Sequence, residues 1–273
     1  DAHPADQETE QQDDSRINEA QRLIRTAEEL CEAKSFREAQ EYFKTAISKL
    51  LSVDGGETMV TAFLRFETAM TSKELGEYDV AAQEFSKAIE YFESVLAGKS
   101  QSEDAQNLRD DARAHVVRSL VELSDCLCLQ SRLVHPTTAD QLLQRAKDES
   151  ARALKHAAPY ETSAEIKEKM QYAYALKSVI QAYMFTKEWD AAEAQALRCL
   201  ALLRPILQHN DSMLFTIGMW LTQIYLGQDK FKEACDESKT LLEMAEGAEM
   251  EKFFLQYCGE LFSDCKRYGE AEG

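Results

Sequence analysis

The chain has 273 residues and a formal net charge of −18, from 31 basic and 49 acidic side chains. Nucleic-acid binding needs clustered Lys and Arg to displace counterions, so this balance argues against it, and it equally disfavours an anionic membrane surface. With 4 Pro and 10 Gly among many Ala, Glu, Gln, Leu and Lys, the composition excludes a turn-rich all-β chain and a disordered one, and it favours helix.

Residues 1–14 hold six acids, no Lys or Arg and no large apolar side chain, and are read as a disordered lead-in to a repeat domain over 15–273. The first helical pattern starts near Ile17, with Leu23, Ala27 and Leu30 on one face, and breaks at Lys34-Ser35. A second helix follows from Phe36 to about Leu51, with Ala39, Phe43, Ala46, Ile47 and Leu50 turned inward. Asp54-Gly55-Gly56 closes this first pair, 15–54, because glycine supplies the left-handed residue after a helix. The second pair, 57–98, carries Phe63, Phe66, Ala69 and Met70, then a tight turn at Gly76, then Tyr78, Ala81, Phe85, Ala88 and Ile89.

The third pair, 103–158, is irregular. Its first helix runs from about Ala105 to Ser131, and its second begins near Thr138 with Leu142, Leu143, Ala146, Ala153 and Leu154. The fourth pair, 161–208, and the fifth, 211–246, are regular again. A sixth unit, 248–273, is incomplete. Its apolar face, with Phe253, Leu255, Leu261 and Phe262, is expected to lack a complete following helix to cover it. Such an end is expected to meet a second copy of the chain, a partner or further sequence.

A twelve-residue pattern recurs along this path: FREAQEYFKTAI at 36–47, YDVAAQEFSKAI at 78–89, WDAAEAQALRCL at 189–200 and FKEACDESKTLL at 231–242, with YGEAE beginning at Tyr268. Phe36 and Tyr78 are 42 apart, as are Trp189 and Phe231. In the third unit the small-residue mark moves from Ala81 to Ala146, a step of 65, so about twenty extra residues are spread over that unit. Equal spacing at this length predicts stacked repeats, each burying its apolar face on the next. The expected fold class is all-α, a right-handed superhelical solenoid of antiparallel helix pairs.

The pairs resemble the tetratricopeptide repeat. The fourth unit matches that family's pattern best, with Leu176, Tyr183, Trp189, Ala192 and Ala196. The fifth has Leu221, Tyr225, Phe231 and Ala234, and the second has Ala69, Gly76, Tyr78, Ala81, Phe85 and Ala88. The period of 42 departs from the common 34 and lengthens the helices by roughly two turns, as in the long-helix branch typified by kinesin light chains. The resemblance implies a protein-interaction scaffold without catalysis, whose first helices line a concave groove.

Some tetratricopeptide domains grip acidic chaperone tails with a lysine-asparagine clamp. Here those positions hold Ile24, Glu28 and Glu67, and an acid repels a carboxylate. The expected groove residues are Phe66, Met70 and Lys73 in the second unit, Tyr174, Lys177, Ser178 and Gln181 in the fourth, and Met219, Trp220 and Gln223 in the fifth. Aromatics and Met beside amides suit an extended peptide or a partner helix. For Trp220, core packing between repeats remains an equal alternative.

The seven cysteines lie inside helical patterns and read as small core residues; Cys199 and Cys235 fall where other units carry Ala or a similar small residue. Cys126 and Cys128 point apart on a helix, with no second pair at ligand spacing, so no metal or other cofactor is expected. No nucleophile–base motif or phosphate-binding glycine loop occurs, which argues against an enzyme. Unpaired thiols suggest a reducing compartment, cytosol or nucleus. No apolar run reaches the roughly 18 residues of a membrane helix. The expected partner is a protein, as peptide or helix, with some positive charge to complement the acidic chain. The alternative is a regulatory or assembly domain of a larger protein, binding through the open C-terminal end.

Overall fold

The computed structural model describes residues 4–98, 103–208 and 211–245. Among the described residues there are ten α-helices and no strand. They are α1 (Pro4–Glu32), α2 (Phe36–Asp54), α3 (Met59–Glu74), α4 (Tyr78–Leu96), α5 (Glu103–Ser131), α6 (Pro136–Ala157), α7 (Ile166–Phe185), α8 (Trp189–Leu203), α9 (Ser212–Gly227) and α10 (Phe231–Ala245). They form two compact units, Asp1–Glu149 and Ser150–Gly273, where the repeat pattern implied one continuous array. The division falls inside the irregular third pair. The expected sixth helix and its apolar face lie outside the described residues.

Helix α1 begins at Pro4, well before Ile17. The stretch assigned to a disordered lead-in is rich in Glu, Gln and Asp. Glu and Gln propagate helix well, acids near an N-terminus complement the helix dipole, and proline suits the first helical position. Thr58 opens α3 with a reciprocal cap: its backbone N–H donates to Thr61 Oγ1 (2.7 Å), and the Thr61 N–H donates to Thr58 Oγ1 (3.3 Å). Asp211 caps α9 by accepting from the Met213 N–H (2.8 Å). Gly55 ends α2 in the left-handed region at φ 67°, the role its sequence suggests.

The four regular hairpins turn in one way. Lys34, Gly76, Lys187 and Asp229 have φ of 59°, 75°, 58° and 59° and stand two residues before Phe36, Tyr78, Trp189 and Phe231. The next amide, of Ser35, Glu77, Glu188 or Lys230, donates to the carbonyl of Leu30, Ser72, Tyr183 or Tyr225 at 2.8–2.9 Å. This bond pattern satisfies carbonyls that the end of the first helix would leave unpaired. Only one of the four left-handed residues is glycine.

Beyond the turn, the small residues do what their spacing predicts. Ala39, Ala81, Ala192 and Ala234 are fully buried, as are Ala46, Ala88 and Cys199 seven positions further on. Side chains this short let paired helices approach closely. In the third pair Ala146 is fully buried too, and Ser124 of α5 donates to its carbonyl oxygen (3.0 Å). Where α9 ends, Gly227 makes room for an indole: a Cβ there would stand 2.6 Å from Trp189 Cε2.

Successive pairs are joined by polar staples at matching positions and of opposite sign. In the first unit Arg37 of α2 pairs with Glu77 (2.7 Å), and Gln40 donates to both Ser72 Oγ (2.7 Å) and Glu77 (3.1 Å). In the second, Glu193 of α8 accepts from Lys230 (2.6 Å) and Gln228 (2.9 Å), and Asp190 accepts from Gln228 (2.7 Å). The donors lie on the earlier pair in one case and on the later pair in the other. Exposed pairs of this kind contribute little stability singly, but like charges brought together would oppose a wrong junction.

Two outcomes test this fold. Relieving a left-handed lysine gains roughly 1–2 kcal/mol, against roughly 0.5–1 kcal/mol of added glycine entropy. Lys187→Gly is therefore expected to stabilise by roughly 0.5–1 kcal/mol in denaturant titration, and a loss of stability would contradict the turn. Glu77→Lys should lower the melting temperature, and adding Arg37→Glu and Gln40→Glu should restore part of the loss; no restoration would mean that the staple carries no register information.

Candidate functional site

Seven of the ten expected groove residues lie in the second unit, on α7 and α9. On α7, Tyr174, Lys177 and Gln181 follow one another at helical spacing; on α9, Met219, Trp220 and Gln223 do the same. The two rows meet where Lys177 Nζ lies 5.6 Å from the centre of the Trp220 ring. A cation over an indole face is attracted by the ring quadrupole. Trp220 is half-buried, so it is neither a core side chain nor a free one. Tyr174 is 44% exposed and stands one turn before Lys177 on α7. Gln223 is exposed and Gln181 half-buried.

Ser178 departs from the expectation. It is buried at 3% exposure and its hydroxyl has no hydrogen-bond partner among the described residues, so it faces packed side chains and presents nothing to a ligand.

In the first unit the expected residues mostly serve the fold. Phe66 is fully buried, in edge contact with Phe85 (ring centres 5.4 Å apart) and covered by the Arg118 guanidinium at 4.5 Å. Lys73 ties α3 to α5 through Glu122 (2.7 Å) and Asp125. Burial works against its charge, but the two carboxylates outweigh burial and hold its pKa above the ordinary lysine value. Its ammonium is committed to the protein. Met70 remains half-buried.

Glu28 and Glu67, at the clamp positions, are joined here by Arg118, which the periodicity did not single out. Burial raises the Glu67 carboxyl above its ordinary value; Arg118 opposes the shift and Glu28 adds to it. The same two acids, after burial, raise the Cys31 thiol. Glu28, Glu67 and Arg118 therefore share one environment, which the irregular spacing of α5 concealed in the sequence. His115 stacks on Phe92 (5.1 Å between centres) and meets Phe63 edge-on (5.7 Å).

Cys126 and Cys128 are fully buried, and burial pushes each thiol up to about 12, as it does Cys199. They are neutral core thiols. Among the described residues no group of three His, Cys, Asp or Glu side chains could hold a metal ion. No helix there is long and apolar enough to cross a membrane.

No protein-family model matches the sequence, and no curated protein matches it. Solved structures match in shape. A thermophilic TPR protein of Thermus thermophilus, TTC0263, aligns with a TM-score of 0.53 at 17% identity, covering 89% of this chain and 98% of that one. BtubC (BKLC) from P. vanneervenii aligns with a TM-score of 0.55 at 14% identity, covering 97% and 92%. The fold is the tetratricopeptide type. The likeness is of fold, and the long period of this chain is accommodated within it. In tetratricopeptide terms α7 and α9 are first helices, and Lys177 of one reaches Trp220 of the other.

The Glu67 environment yields a pH test. A carboxyl raised in the folded state stabilises fully below its unfolded value, and that contribution is lost as pH rises through the folded value. Glu67→Gln should therefore raise the melting temperature at pH 7, with the gain vanishing below about pH 4. An equal gain at both pH values would show that the effect is not the charge.

Proposed function

We propose that this chain is a non-catalytic protein-interaction scaffold or adaptor, and that the shared face of α7 and α9 holds a peptide segment or helix of a partner protein. The observation that carries this reading is the exposed Tyr174 next to the Lys177–Trp220 pair. Aromatic anchors of that kind lose little conformational entropy on binding, and large rings with a cation beside them dominate contact energies at interfaces. Met219 packs against the Phe215–Leu241 core and backs the row from within the fold, and the amides of Gln181 and Gln223 flank the row where a ligand backbone would run. The acidity of the whole chain, −18, favours a partner with some positive charge, whose encounter would slow as salt is added.

The test begins with affinity capture and mass spectrometry to identify a partner, followed by titration of its binding segment. Replacing both Lys177 and Gln181 by Ala should weaken that segment by roughly 1–3 kcal/mol through lost polar contacts, with helical content unchanged. Unchanged affinity in the double variant would place the binding surface elsewhere.

A further inference from the structure

The irregular third pair leaves one junction without its staple. The positions that hold Arg37 and Gln40 on α2, and Asp190 and Glu193 on α8, hold Asp79 and Ala82 on α4. The turn residue that would answer them, 42 beyond Glu77, is Ser119, which is buried within α5. The turn itself comes only after Ser131. Where the neighbouring turn would lodge there is instead a cleft of about 430 Å³, within the size range of ligand sites.

The cleft runs along α4 between that helix and α6. Ala82, Leu127 and Leu142 give it an apolar lining. Its ends differ in charge. Asp79 stands in the first turn of α4, with no ion pair or side-chain hydrogen bond among the described residues. Lys87 lies eight residues on, about 12 Å along the helix axis, where its ammonium already pairs with the Glu84 carboxylate. Beside it Arg145 donates to Ser86 Oγ (3.2 Å) and approaches Glu149 only at 3.6 Å. An acid, an apolar strip and two cations thus follow one another over two helical turns. The volume admits the side chains of one helical face but not a whole helix.

We propose that this cleft docks a helical segment of a partner protein whose exposed face reads cation, apolar residue and carboxylate at i, i+4 and i+8. The carboxylate meets Arg145, with Lys87 shared between it and Glu84, the apolar side chain covers Leu127 and Leu142, and the cation meets Asp79. Charge complementarity at both ends selects this occupant: a uniformly basic segment would meet Arg145, and a uniformly acidic one Asp79. The site lies on the first unit and is independent of the α7–α9 face.

The experiment uses the full chain with labelled leucine methyl groups and two helical alanine-based peptides, one carrying Lys, Leu and Glu at i, i+4 and i+8, the other Lys, Leu and Lys. The first peptide should shift the Leu127 and Leu142 methyl resonances and bind roughly tenfold more tightly than the second. Arg145→Glu should reverse that preference, while Lys177→Ala with Gln181→Ala should leave it intact. If Arg145→Glu does not fold, Lys87→Glu replaces it with the same expected reversal. Equal binding of the two peptides, shifts that map away from the cleft, no shift at all, or a preference that survives charge reversal would overturn the proposal.

Discussion

In each regular hairpin a backbone amide reaches five residues back across the turn, from Ser35 to Leu30, Glu77 to Ser72, Glu188 to Tyr183 and Lys230 to Tyr225. The residue before that amide is left-handed, and it forces the chain to reverse within three positions. Everything downstream depends on this reversal. It delivers Phe36, Tyr78, Trp189 and Phe231 to the start of the second helix, and so delivers Ala39, Ala81, Ala192 and Ala234 to the crossing three residues later. A crossing built on alanine resists a shift of register where the next residue is longer, as Gln40, Glu193 and Cys235 are. The turn also places Glu77 and Lys230 within reach of the preceding pair, where the staples of opposite sign form.

In the third pair that reversal is delayed. α5 continues past the position at which a regular hairpin would have turned, so Ala82 and Asp79 have no answering residue and the α4–α6 cleft stays open. The delay also carries Arg118, Glu122 and Asp125 of α5 against α3. There they cover Phe66 and neutralise Lys73. The first-helix face proposed to hold a ligand in the second unit is an internal charge network in the first. Function and packing thus trade places between units that share one repeat pattern.

Much of the fold was legible in the sequence because aromatic and alanine positions report distances along a helix, and those distances are local. The buried Ala39, Phe43, Ala81, Phe85 and Ala192 follow from periodicity alone. The site was only partly legible. Helical spacing places Phe66 and Lys177 at comparable first-helix positions, yet one is covered by Arg118 and the other lies over Trp220. What separates them is the neighbour contributed by the following pair, and the 65-residue step hid that neighbour for the second pair. Ser178 failed for a related reason: a hydroxyl in a polar row reads as surface, whereas here the row turns inward at that position. The start of α1 was missed because charge density was weighed over the helix propensity of Glu and Gln.

One turn, repeated, sets the register of both units. Native-state hydrogen exchange at the amides of Ser35, Glu77, Glu188 and Lys230 measures this directly. Each donates a backbone bond across its turn, so all four should be protected well beyond the rates of an unstructured loop, opening together with the helices they join. Exchange of these four amides at loop rates, while the flanking helices stay protected, would contradict it.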